Sequence, residues 1–245
     1  MLWIFDSGYG WLQTLRYLKN FFSDFDYIFY ADNKNVPYGN KTAEQIKDLT
    51  FEWLNYLFDN GAKLVILACN TASAYAIKEW QKLYPDKKVL SIMIPAIEKI
   101  IEKWYKKVGI IATLATVLSN IYERKYFELT WKNIDFYQVP ANNLVKLIEN
   151  EEQNEEIINE VIIAYLEQFP KDIEALVLWC THFPIYKKYF EKHFNKTIID
   201  PSYESVDKLV EYFRKHQDIY NAISKNWKID IIETGEKWKY KILDK

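Results

Sequence analysis

The chain has 245 residues and 32 Lys plus Arg against 34 Asp plus Glu, a formal net charge of −2. That length supports one large or two small α/β domains with cores of their own, and the balanced charge argues against nucleic acid and against an acidic disordered tail. No apolar run reaches the ~20 residues that cross a bilayer, and the first residues enter a strand without a signal-peptide pattern, so a cytoplasmic protein with no membrane partner is expected.

A strand over 2–5 is followed by Asp6-Ser-Gly-Tyr-Gly10 and a helical pattern to about residue 22. A second strand, 27–31, ends in Asp32, and a polar loop containing Pro37-Tyr38-Gly39 leads to a helix over 42–60 that stops at Gly61. The stretch Lys63-Leu-Val-Ile-Leu-Ala-Cys69-Asn-Thr is an apolar strand ending in a thiol, with helix-capping residues after it. A helix over 71–84, a strand over 89–93 and a helix over 95–106 complete the first series. The second series predicts strands at 108–112, 134–139, 175–179 and 197–199. Helices are predicted at 116–129, 144–149, 154–169, 184–194 and 203–216, and a last strand and turn at 228–235. Strands alternating with helices predict an α/β protein of two similar lobes with mainly parallel sheets. No low-complexity linker separates them, and the weakest join is near Ile94-Pro95.

Cys180, in Ala175-Leu-Val-Leu-Trp-Cys180-Thr-His182-Phe-Pro, repeats the design of Cys69, and these are the chain's two cysteines. They make no disulfide framework, and reduced thiols are expected. A single buried cysteine is more often an apolar core residue, but two at matching strand ends predict a pair of thiols facing one pocket, at the carboxyl edge where open α/β sheets bind ligands. Helix starts there suit a carboxylate and favour thiolate. Asp6 near one thiol and His182 near the other would hold protons. Such a pair suits removal of a proton from carbon on one face and delivery on the other, inverting a stereocentre without redox chemistry.

At these residues the sequence resembles the cofactor-independent glutamate racemases of the aspartate/glutamate racemase superfamily. The motifs are Phe5-Asp6-Ser7-Gly8 with Gly10, Pro37-Tyr38-Gly39, Ala68-Cys69-Asn70-Thr71-Ala72-Ser73 and Cys180-Thr181-His182-Phe-Pro184. Supporting segments surround Thr116, Glu149, Pro201 and Gly235, so the resemblance runs from residue 2 to residue 235. It implies interconversion of L- and D-glutamate, supplying peptidoglycan and cell shape, with no cofactor and no metal. Cys69 and Cys180 would be the two bases, Asp6 assisting the first, His182 and Glu149 the second. Asp6, Ser7, Tyr38, Gly39, Asn70, Thr71, Thr181 and His182 would bind substrate, with Thr116 a weaker candidate. Glu149 also opens an acidic run typical of a solvated face. The lobes would span 1–95 plus 207–245, carrying Cys69, and 96–206, carrying Cys180. The resemblance is compatible with a homodimer.

Other readings stay open: an aspartate or other amino-acid racemase of the same superfamily, a non-catalytic glutamate-binding relative, or a zinc hydrolase using Cys69, Cys180, His182 and Asp6. Trp3, Trp11 and Trp179 stand where the family ordinarily has glycine. Glycine is 6 of 245 residues against a usual share of ~7%, while tryptophan numbers 9. One expectation is therefore that UGA codons meant as glycine are written here as tryptophan. Otherwise the indole of Trp179 would crowd the ligand beside Cys180.

Overall fold

The computed structural model describes residues 1–8 and 10–235; the last ten residues of the expected first lobe, 236–245, lie outside the described residues. Two parallel sheets carry the fold. The first comprises β1 (Leu2–Asp6), β2 (Tyr27–Ala31), β3 (Leu64–Leu67), β4 (Lys88–Ser91) and β9 (Ile229–Glu233), in the order β4-β3-β1-β2-β9. The second comprises β5 (Lys107–Ala112), β6 (Asp135–Pro140), β7 (Ala175–Trp179) and β8 (Thr197–Ile199), in the order β6-β5-β7-β8.

The central strands β1, β2, β3 and β7 are buried along their whole length, which is why they are written in unbroken apolar runs. Alternate side chains of β1 enter opposite cores. Leu2 and Ile4 pack with α1 (Trp11–Phe21) and α10 (Pro201–Lys215). Trp3 and Phe5 pack with α2 (Ala43–Asp59) and α3 (Asn70–Leu83). In the second sheet Leu176 and Leu178 face α7 (Asn142–Glu149), α8 (Glu155–Leu166) and α9 (Lys187–His193). Ala175, Val177 and Trp179 face α4 (Met93–Glu102) and α6 (Ile121–Thr130). After β8 the chain returns through α10, passes α11 (Gln217–Ala222), and adds β9 beside β2.

Register brings the functional residues to one level. Asp6 is paired with Ala31 and Phe5 with Leu67, so Asp6, Asp32 and Cys69 leave the first sheet together. Ala112 is paired with both Pro140 and Trp179, so Thr113, Asn142 and Cys180 leave the second sheet together.

Several boundaries differ from those expected, each for a local reason. β3 stops at Leu67, and Cys69 is instead the cap of α3, its sulfur accepting the Ala72 N–H at 3.4 Å. The strand expected to reach residue 93 ends at Ser91, whose hydroxyl accepts the Met93 N–H and starts α4 early. The single helix expected over 116–129 is two, α5 (Leu114–Leu118) and α6, broken at Asn120 in the left-handed region. Around Pro184 the chain makes a 3₁₀ turn, Phe183–Tyr186, before α9. Helix α11 was not expected. The expected lobe boundaries at 95/96 and 206/207 fall inside α4 and α10. Among the described residues no helix is long and apolar enough to cross a membrane.

Candidate active site

The carboxyl edges of the two sheets meet around a small cavity of about 20 Å³ lined by Ser7, Val36, Pro37, Tyr38, Gly39, Cys69, Asn70, Thr71, Thr113, Val145, Cys180, Thr181 and His182. Both thiols reach it, one from each sheet, as the paired strand-end design predicts. Both are free cysteines and buried.

Cys69 lies between the first strand and its own helix. The Ser7 hydroxyl is 3.1 Å from its sulfur, and the Ala72 N–H caps it from the other side. A helix start by itself favours thiolate here. Burial wins instead: with the nearby Asp6 carboxylate it pushes the Cys69 thiol up to about 12, against the contributions of Ser7 and Ala72. Asp6 is itself fully buried and does not line the cavity. Burial raises its carboxyl to about 6, held from rising further by His182, Thr181 and the N–H groups of Gly8 and Ser7.

Cys180 has different company. Its sulfur is 3.5 Å from His182 Nδ1, and His182 Nε2 is 3.1 Å from Glu149 Oε1. Burial alone would lower the pKa of His182, but Cys180 and Glu149 outweigh it and hold the imidazole well above its ordinary value, favouring imidazolium. Glu149 is thus not part of a solvated face. Its side chain is only 12% exposed and serves as the outer partner of the histidine.

The remaining expected residues divide into cavity wall and support. Asn70 contributes an amide whose oxygen and nitrogen are both buried without a partner among the described residues, the mark of a group kept for a ligand. Thr71 joins Thr113 and Thr116 in a ring of three hydroxyls at 2.8–3.0 Å, where each can donate once and accept once. Thr116 is the member of the ring that is completely buried and does not line the cavity. The Tyr38 hydroxyl donates to Asp32 at 2.7 Å, so its polar end is committed within the protein. Thr181 packs against Gly10.

Trp179 corrects an expectation. Because side chains alternate along a strand, its indole points away from the cavity into the core shared with α4 and α6, where it meets Tyr122. It does not crowd the ligand directly.

Sequence reasoning missed Thr113, Asp32 and Asn142. Thr113 and Asp32 follow strands, and that placement was a usable signal. Asn142 was not legible, since its role is to donate from its side chain to the Gly39 carbonyl at 3.3 Å across the two halves. Among the described residues no group of three or more His, Cys, Asp and Glu stands in an arrangement fit for a metal, so the zinc reading lacks a ligand set there.

Close packing at Gly10 gives a sharp expectation. A methyl group added there would sit 1.8 Å from Thr181 Oγ1 and 2.9 Å from the Thr181 backbone carbon. The side chain alone cannot yield, because backbone is struck as well. Gly10→Ala should therefore lower the urea midpoint by the equivalent of at least the ~1–3 kcal/mol typical of overpacking. An unchanged midpoint would show that the Gly10–Thr181 contact is not tight.

Comparison with known proteins agrees along the chain. The family model described as Asp/Glu/Hydantoin racemase matches residues 14–209. A glutamate racemase of Thermoanaerobacter sp. is 34% identical over 238 residues, covering 96% of this chain and 88% of that protein. One from Aquifex pyrophilus is 33% identical over 213 residues, covering 86% and 82%. The crystal structure of glutamate racemase from Francisella tularensis in complex with D-glutamate superposes with a TM-score of 0.88 at 30% identity, covering 96% of this chain and 88% of that one.

Proposed function

Since the chain belongs to the Asp/Glu/hydantoin racemase family, we propose that it interconverts L- and D-glutamate in the cytoplasm, supplying D-glutamate for peptidoglycan. The observation that carries this reading is the pair of buried thiols, one from each sheet, lining one cavity with an amide that has no partner among the described residues. The lobes of this reading are 1–95 with 207–245, and 96–206, with α4 and α10 as the elements that cross between them. The division is supported by the two sheets, each carrying one thiol at its carboxyl edge.

The unequal surroundings of the sulfurs supply the proton inventory such a reaction needs. Cys69, deeply buried beside a carboxylate, is held as the thiol. Cys180 instead stands beside an imidazole that Glu149 braces and whose proton is held tightly. A thiolate removes the α-proton from one face, its electron pair remaining on carbon, and the opposite thiol protonates the other face. The proton count is conserved, and the two sulfurs exchange states in each direction. Asn70, Ser7, Thr71 and Thr181 would hold the amino and carboxylate groups, with Tyr38 and Gly39 shaping the wall and Asp6, Thr116 and Glu149 acting from behind it.

A cavity of about 20 Å³ has room for one water and not for a five-carbon diacid. Substrate entry therefore requires this cavity to widen, and the contacts that tie the halves beside it are Thr71 to Thr113 and Asn142 to Gly39.

Incubation with L-glutamate in deuterated water tests the reading. The circular dichroism should decay to zero while the α-proton signal is replaced by deuterium, and L-aspartate should react more slowly. Retention of the α-proton would overturn the mechanism, and faster turnover of aspartate the substrate.

A further inference from the structure

Among the described residues the tryptophans occupy contrasting places. Trp80, inside α3, is a built site: its indole donates to the Lys87 carbonyl at 3.4 Å, and its ring stacks on Phe58 and packs against Tyr84. Trp104, Trp131 and Trp227 are the opposite. Their φ angles are 58°, 55° and 63°, and they are 73%, 79% and 63% exposed. The left-handed region presses Cβ against the following carbonyl oxygen, a strain that glycine escapes.

Hydrogen bonding shows what each turn demands. At the end of α4 the Trp104 N–H goes to the Ile101 carbonyl and the Tyr105 N–H to the Ile100 carbonyl. The end of α2 has the same pair of bonds, from Gly61 to Phe58 and from Ala62 to Leu57, and there the left-handed residue is Gly61, with φ 96°. Trp104 thus fills the glycine place of a helix-stop motif. Trp131 caps α6 with its N–H on the Phe127 carbonyl. Trp227 is held between Asn226 and Lys228, whose N–H groups both go to Asp26 Oδ1, at 2.8 and 2.9 Å. Among the described residues the other non-glycine residues with positive φ are Asn120, a type that tolerates it, and Glu151. Tryptophan, 9 residues of 245, supplies the other three.

Trp179 is misplaced in another way. Among the described residues its buried indole N–H has no partner, its ring centroid is 3.7 Å from that of Tyr122, and the buried Tyr122 hydroxyl has none either. Two orphaned polar groups therefore lie behind the strand end that presents Cys180.

We infer that positions 104, 131, 179 and 227 are decoded as glycine in the cell that makes this protein, whereas Trp80 is a true tryptophan. Trp3 and Trp11 are buried, carry no such conformational mark, and rest on the family resemblance alone. The inference does not depend on the reaction proposed above, because it concerns backbone conformation and packing.

The coding DNA, with peptide masses from protein purified from the source cells, tests it. UGA at codons 104, 131, 179 and 227, UGG at codon 80, and glycine masses at those four places are expected. UGG at any of the four, or a tryptophan mass there, overturns it. An independent readout is melting temperature. The triple variant Trp104→Gly, Trp131→Gly, Trp227→Gly should melt higher, by roughly 2–4 °C per position, and Trp80→Gly should melt lower. A triple variant that melts lower than the tryptophan form also overturns the inference.

Discussion

Replacing either thiol by serine is expected to cut kcat/KM for glutamate racemisation by about 10²–10⁴-fold, the usual contribution of a positioned general acid or base. A serine hydroxyl has nearly the shape of a thiol but surrenders its proton far less readily. Cys69 and Cys180 line the same cavity from different sheets, so neither can take over the other's face of the substrate. Each variant should therefore retain something distinctive. Cys69→Ser keeps the base paired with His182, and should still exchange the α-proton of one enantiomer with solvent while inverting slowly. Cys180→Ser should favour exchange of the other enantiomer. Nuclear magnetic resonance of separate L- and D-glutamate samples in deuterated water reads this directly. Full activity in either variant would refute the two-thiol scheme.

The second large effect is expected at the histidine. His182→Asn removes the cation beside Cys180 and should lower kcat/KM by about 10²-fold, while Glu149→Gln, one bond further out, should cost less. The geometry gives the order: Sγ to Nδ1 at 3.5 Å, then Nε2 to Glu149 at 3.1 Å. The pH dependence has a definite sign. His182 binds its proton more tightly folded than unfolded. Its contribution to stability is therefore full below about 6.5, the unfolded value, and is lost as pH rises through the higher folded value. His182→Asn should flatten that alkaline loss in urea midpoints measured across pH. An unchanged slope would mean that Cys180 and Glu149 do not hold the proton on the imidazole.

Much of this site was legible in the chain because its pieces are local. Cys69, Asn70 and Thr71 are contiguous, as are Cys180, Thr181 and His182, and each triplet follows an apolar run that must be a buried strand. Strand periodicity alone then delivers them to a carboxyl edge. Less legible were places where a side chain chooses between local and distant partners. Ser91 starts α4 early by accepting the Met93 N–H, and Asn120 divides a helical pattern that reads as continuous. Glu149 belongs to an acidic run whose composition suggests solvent exposure, and only the packing of α7 against the turn after β7 brings it to His182.

The amino-acid sequence by itself determined the alternation of strands and helices, the two sheet edges, and the two runs of three residues that line the cavity around the thiols. Those features depend on side-chain period and capping, which act over a few residues. Tertiary structure alone decided the surroundings of the thiols, since Cys69 owes its raised value to burial and Asp6, while Cys180 meets a histidine braced by a distant carboxylate. It alone decided that Trp179 faces away from the cavity and that Trp104, Trp131 and Trp227 sit in left-handed turns. Desolvation, charge proximity and backbone handedness are properties of neighbours in space, and no local pattern in the chain encodes them.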